Sequence, residues 1–226
     1  MKEHKIKPVA TIKNGYKEKF GVPRQSGLAP SVKSEIVFLD EFRDENMIRD
    51  IESFSHLWLI WGFSYNQEKW SPTVRPPKLG GNKRTGVFAT RSPFRPNSLG
   101  LTVVKLEEVK DTPNGKVLVV SGADMVNDTP IFDIKPYLPY VDSVEKAVGG
   151  FSDEYKNDYL NVSFSGSADD ILTKEELTEL REILSLNPKP SYQDDEERVY
   201  GISYKDLTVK FRYKDDNIVV ICVERV

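Results

Sequence analysis

Two long strand-like runs, LGLTVVKLEEV (99–109) and KVLVVSGADMV (116–126), meet at Asn114-Gly115. Runs rich in β-branched residues separated by a turn dipeptide predict a hairpin. A hairpin of this length commits the surrounding chain to an antiparallel sheet, and the neighbouring segments agree with that. SHLWLIWGFSY (55–65) is bulky and apolar on both faces, as a buried strand is. Shorter strands are expected within 4–15, near 35–39 and at GVFAT (86–90), while PIFDIKPYLPYVDS (130–143) is extended and punctuated by prolines. DENMIRDIESF (44–54) fits a short helix with Asp44 as N-cap, and SPTVRPPKLGGNKRTG (71–86) has loop chemistry. No G-x-G-x-x-G turn and no P-loop signature occurs, so a nucleotide-like cofactor is expected on something other than a doubly wound sheet.

The composition changes near Gly149-Gly150. Beyond it, TKEELTELREILSL (173–186) is the clearest helix of the chain, with a Thr173/Glu176 capping box, Leu177, Leu180 and Leu184 along one face, and Asn187-Pro188 to stop it. The end, GISYKDLTVKFRYKDDNIVVICVERV, predicts a hairpin turning near 215–217. The expected fold is therefore mainly β with an α+β appendage, divided at 4–147 and 150–226. With 226 residues and 38% hydrophobic residues there is enough apolar side chain for such a core. The single cysteine, Cys222, rules out an internal disulfide and a paired-Cys zinc site. The longest apolar run, LWLIWGF, is far short of the ~20 residues of a membrane span, and the start has no apolar signal core. A cytoplasmic protein without metal or membrane is expected.

The net charge of −3 conceals a segregation. From Lys69 to Lys105 there are eight cations and no Asp or Glu, whereas 151–226 holds 10 basic and 17 acidic residues. A segregated positive stretch is the footprint of a polyanion site or of a solvated cationic face. Inside it lies GVFATRSPFRPNSLGL (86–101). Pro93 and Pro96 fix their own φ and push Ser92 and Arg95 toward extended backbone, so RSPFRPN predicts a rigid loop between two strands. Arg91 and Arg95 offer planar forks for a phosphate, carboxylate or base edge, or could pair with acids elsewhere.

These residues closely resemble the signature of the TsaA-like, or TrmO, tRNA methyltransferase family. YKEKFGVPRQSGL (16–28), FSHLWLIW (54–61), RPPKLGGN (75–82), DTPIFDIKPYLPY (128–140), NPKPSY (187–192) and LTVKFRY (207–213) resemble the same family in the same order, across nearly the whole chain. The resemblance implies a single-sheet, non-Rossmann β-barrel that binds S-adenosylmethionine, a small C-terminal α+β domain, and a homodimer. It implies methyl transfer to N6 of the threonylcarbamoyl-adenosine beside the anticodon of threonine tRNAs. By the same resemblance, cofactor contacts fall on Gln25, Ser26, Gly27, Phe63, Ser64, Arg91, Leu101, Ser121, Gly122, Ala123 and Asp124. Arg91 would grip the methionine carboxylate, Asp124 the ribose hydroxyls or the amino group, and Phe63 and Leu101 would wall the adenine.

Two positions depart from the family. Ser64 stands where a histidine is usual, and Asn127-Asp128 replaces Asp-Gly. In DIKPY, alternation places Asp133, Lys135 and Tyr137 on one face, where an Asp–Lys pair could orient the target base, move its proton, or simply close a barrel. His56 is expected to be a hydrogen-bonded core residue. Lys78, Lys83, Arg84, Arg95 and Asn97 are the expected tRNA contacts, with Tyr192 and Arg212 added from the C-terminal part. A chain ending near Gly149 is expected to keep cofactor binding but methylate less well. The rival readings are a non-catalytic tRNA-binding module and a serine hydrolase, the latter disfavoured because no G-x-S-x-G occurs and His4 and His56 are the sole imidazoles.

Overall fold

The structure, a computed structural model, describes residues 3–65, 69–80, 82–155, 159–165, 168–189, 197–215 and 217–226. It is mainly β. The first unit contains β1 (Ala10–Lys13), β2 (Lys33–Phe38) and β3 (His56–Gly62), then a two-stranded ribbon of β4 (Thr73–Val74) and β5 (Thr85–Gly86). The long hairpin of β6 (Leu99–Thr112) and β7 (Gly115–Ser121) and the strand β8 (Pro130–Pro136) complete it. The order is β1-β2-β7-β6-β3-β8, and β8 pairs back onto β1, which closes the six strands on themselves.

Alternation sorts the side chains. Leu57, Leu59 and Trp61 of β3 point into the barrel with Ile36, Val104, Leu118, Val120 and Ile131. His56, Trp58 and Ile60 face outward. A bulge in β8 skips Phe132 between Ile131, opposite Trp61, and Asp133, opposite Ile60. Gly62 makes room for it, since a Cβ there would lie 2.8 Å from the Phe132 ring.

Two local expectations change. Residues 44–54 form two 3-10 turns, Glu45–Ile48 and Ile51–Ser53, with no α-helix. Asp44 caps the first as predicted, accepting from the Asn46 amide at 2.9 Å. Asp50 then adopts a left-handed φ of 64°, which ends the run. Ile48, Ile51 and Phe54 still reach the barrel core, so packing is met by turns rather than by a helical stripe. GVFAT contributes just its first residue to β5, and Val87–Ala89 is a 3-10 turn that sinks Val87 into the interior.

The second unit is a sheet ordered β10 (Tyr200–Tyr204), β11 (Leu207–Lys214), β12 (Asn217–Arg225), β9 (Val162–Phe164), with β9 parallel to β12. The helix Lys174–Ser185 packs on it through Leu180, Ile183 and Leu184, and both halves of its capping box are formed.

This second core also takes side chains from the N-terminal part of the chain. Tyr16, Ala29 and Val32 are buried in it, with Phe20 and Val22 packed alongside. Residues 15–32 form a strap over the C-terminal sheet. Tyr16 bridges to Tyr204, and the Lys205 amide donates to the Gly15 carbonyl at 2.9 Å. The Ser203 amide donates to the Glu18 carboxylate at 2.9 Å, and Glu182 accepts from the Ser31 amide and hydroxyl at 2.9 and 2.8 Å. Arg24 donates to the Lys189 carbonyl at 3.2 Å. These hydrogen bonds, with the buried Tyr16, Ala29 and Val32, hold the strap as part of the C-terminal unit.

Candidate functional site

One end of the barrel collects four loops. The strap turns back over the rim at residues 23–28, where the Gly27 amide donates to the Gly122 carbonyl at 2.9 Å. The close approach needs glycine at 122, while at 27 glycine serves the positive φ of +75°. Gly122 has φ +80°, and a Cβ on it would meet the Gly27 Cα at 3.1 Å. The proline-stiffened loop 86–98 reaches the same place, with Arg91 donating to the Gln25 side-chain oxygen. Phe63 leaves β3 and donates its amide to the Ser98 carbonyl at 3.0 Å. Lys19, on the strap, donates to the Tyr65 carbonyl at 2.9 Å.

Asp124 lies at the centre of this arrangement, partly buried. Its Oδ1 accepts from the Thr102 hydroxyl at 2.7 Å, and Thr102 in turn accepts from the Trp61 indole N–H at 2.9 Å. Burial pushes the Asp124 carboxyl above its ordinary value. The Thr102 hydrogen bond, its own backbone and the charge of Arg91 act in the opposite direction.

The Trp61 indole is fixed by its surroundings. Phe63 meets it edge-on at 4.4 Å between ring centres, and a Cβ on Gly100 would fall 2.2 Å from it. Gly100→Ala must therefore move the indole. The expected cost is about 1–3 kcal/mol of stability, the usual range for overpacking a core, checked by denaturant unfolding. An unchanged midpoint would mean the ring has room to yield.

The remaining predicted cofactor positions divide. Ser26 lies on the 23–28 turn. Ser64 is exposed, its hydroxyl 3.3 Å from that of Thr129. Ala123 is packed into the barrel core. The Ser121 hydroxyl donates to Glu107 at 2.6 Å, a bond that with Lys105 holds the Glu107 carboxyl below its ordinary value. That hydroxyl is therefore committed to the barrel wall. Leu101 is 57% exposed on the outer wall, in one row with Ile60 and Asp133.

Asp133 and Lys135 form an ion pair at 3.1 Å on that outer wall, and Tyr137 follows with its ring against Trp58 and His56. His56 is hydrogen-bonded as expected, to the Ser55 hydroxyl at 2.9 Å, but it stands on the outward face of β3.

Arg95 donates to its own loop's carbonyls, Thr90 at 3.1 Å and Ser92 at 3.3 Å, and so braces the loop. Arg84 donates to Thr73 at 2.8 Å, tying the β4–β5 ribbon, and Lys83 and Asn97 are exposed. Lys78 lies in the 3-10 turn Pro77–Leu79. Arg212 stands on β11, opposite Val219. Tyr192 lies outside the described residues.

The unusual Asn127-Asp128 pair has a structural account. Asp128 holds a φ of 66°, a conformation that glycine adopts freely and Asp or Asn tolerates. It pairs with Lys13, while Asn127 accepts from the Asn14 amide at 2.9 Å. Sequence reasoning did not find Thr102 or Trp61. Their signal was a threonine and a tryptophan at inward positions of strands that are otherwise aliphatic.

The chain matches two family models, the tRNA-methyltransferase O N-terminal domain over residues 11–143 and the TrmO C-terminal domain over residues 157–226. It is 38% identical to a tRNA (adenine(37)-N6)-methyltransferase of Escherichia coli K12, covering 99% of each chain. It is 43% identical to a protein of the same name from Eikenella corrodens, over 71% of this chain and 91% of that one. A crystal structure of TrmO from Pseudomonas aeruginosa superposes with a TM-score of 0.80 at 29% identity, covering 99% of this chain and 100% of that one.

Proposed function

Since the chain belongs to the tRNA-methyltransferase O family, we propose that it transfers a methyl group from S-adenosylmethionine to N6 of the threonylcarbamoyl-adenosine beside the anticodon of threonine tRNAs. The observation that carries this reading is the convergence of loops 23–28, 63–65, 86–98 and 122–128 at one barrel end, around a half-buried carboxylate and a facing guanidinium. The group fits. An amino-acid zwitterion on a nucleoside needs an anion and a cation close together beside an aromatic surface. Asp124, Arg91 and Phe63 supply them, and the Gly27–Gly122 contact leaves backbone where a side chain would intrude.

S-adenosylmethionine supplies an electrophilic methyl on a positive sulfur. Arg91 binds the carboxylate of the methionine part. Asp124 takes ribose hydroxyls or the ammonium, and Phe63 covers an adenine face. Gln25 holds the Arg91 fork in orientation. The target N6–H is flanked by a carbonyl, which makes it acidic, so placement can carry most of the rate. Asp133, Lys135 and Tyr137 orient the base from the outer wall. Lys83, Arg84 and Asn97 meet the RNA backbone with Lys78, while Arg95 keeps the loop in shape. No described helix is long and apolar enough to cross a membrane, and the described residues hold no cluster of metal-ligating side chains. A cytoplasmic enzyme fits this reading. A homodimer fits the exposed run Tyr140, Val141, Val144 and Val148, which a second copy would cover.

The test is incubation of the purified protein with S-adenosylmethionine and tRNA bearing threonylcarbamoyl-adenosine, followed by nucleoside mass spectrometry. The expected product is the N6-methylated nucleoside. A protein that binds both partners and leaves that nucleoside unmethylated would instead be the RNA-binding module.

A further inference from the structure

We infer that Thr102 is a positioning residue of this site: its hydroxyl, oriented by the Trp61 indole, fixes the Asp124 carboxylate in the attitude that receives the ligand. This rests on the S-adenosylmethionine reading above. The direction of the chain follows from chemistry. An indole N–H donates and cannot accept, so Thr102 Oγ1 is the acceptor of the 2.9 Å bond. Its one proton is then available to Asp124 Oδ1 at 2.7 Å, and an ionised carboxylate only accepts. Trp61 cannot swing away, because Gly100 and Phe63 hold its two sides.

The location argues against a purely architectural role. Thr102 is 2% exposed and shares the barrel interior with Leu57, Leu59 and Val104. A buried hydroxyl in such company needs a partner, and an aliphatic residue would need none. Here the hydroxyl links the rigid interior of the barrel to the Asp124 carboxylate at the loop end. One Asp124 oxygen is thereby engaged, and ligand donors meet the other. The remaining groups acting on Asp124 are its own backbone and the Arg91 guanidinium, both of which favour its charged form. The Asp124 charge in turn adds to the burial that keeps the Tyr16 phenol protonated.

Titration calorimetry of S-adenosylmethionine on the full-length protein, repeated across the acid range, tests this. Thr102→Val keeps the shape and removes the donor. It should weaken binding by about 10–100-fold, the scale of a lost hydrogen bond to a charged group. The acid limb of the binding curve should also move to higher pH, because the hydroxyl's contribution to keeping Asp124 ionised is gone. Thr102→Ser should return both affinity and pH profile to near wild type, a rescue that mere packing would not give. Thr102→Ala serves if valine is not tolerated.

Wild-type affinity and profile in a folded valine or alanine variant would overturn the inference, as would a serine variant as impaired as the valine one. A wild-type protein that binds no S-adenosylmethionine would remove the cofactor reading itself, a result distinguishable from either.

Discussion

Ending the chain at Gly149 is expected to weaken S-adenosylmethionine binding about 100-fold, which reverses the expectation from the sequence that such a chain keeps its cofactor because every proposed contact precedes that residue. The reason is the strap. Gln25, Ser26 and Gly27 sit on a turn whose two flanks are pinned to the C-terminal unit, by Tyr16 and Glu18 on one side and by Ala29, Ser31 and Val32 on the other. Removing residues 150–226 exposes those apolar side chains and leaves the Ser31 and Gly15 groups without their partners. The 23–28 turn then has no fixed position over the rim. If it visits the competent arrangement ~1% of the time, affinity falls ~100-fold by population alone. Calorimetry on a soluble truncated protein with intact barrel circular dichroism gives the answer. Normal affinity there would show that the barrel holds the turn without help.

The second large effect is expected at Arg91. Arg91→Ala should weaken S-adenosylmethionine binding by ~1.5–3 kcal/mol, the range for a charge-assisted hydrogen bond. Arg91→Lys should recover only part of this, because the fork that spans Gln25 and a carboxylate is lost. A pH effect accompanies it. Asp124 is already raised by burial, and Arg91 is one of the groups holding it down. Without Arg91 the folded-state carboxyl rises further. Asp124 then charges only at higher pH, and binding that uses its ionised form is lost earlier as pH falls. Conversely, because its folded value lies above the unfolded one, whatever stability Asp124 contributes is present at low pH and lost as pH rises through the folded value. Unchanged affinity and an unchanged acid limb in the alanine variant would exclude Arg91 from the site.

Much of this could be read in the residues beforehand, because it is written in local chemistry. The β6–β7 hairpin announces itself at Asn114-Gly115, the capping box at Thr173 and Glu176, and the rigid loop at Pro93 and Pro96. Each depends on a few neighbours in sequence. What escaped depends on partners far away. Residues 44–54 carry a helix-like cap, yet three apolar anchors on a barrel wall are served as well by 3-10 turns. Thr102 looks like any strand threonine until Trp61 and Asp124 are placed on either side of it. Position in the chain places the strap with the barrel, and nothing in YKEKFGVPRQSGL says that its tyrosine belongs under β10. The cationic segment was legible as charge, but its division into braces such as Arg95 and outward cations such as Lys83 is a matter of geometry.

The strap also dictates an order of events during synthesis. Its contacts join residues far apart in the chain, as in the Glu18–Ser203 hydrogen bond, which spans 185 positions. Contacts of that sequence separation form late, after the entropy of closing the intervening loop has been met. On the ribosome the barrel strands emerge first and can pair while β10 to β12 are still being made. The segment carrying Gln25 to Gly27 must wait, its flanks unpinned, until the helix and β10 have left the exit tunnel. A nascent chain that stops short of β10 therefore carries a barrel without a finished mouth.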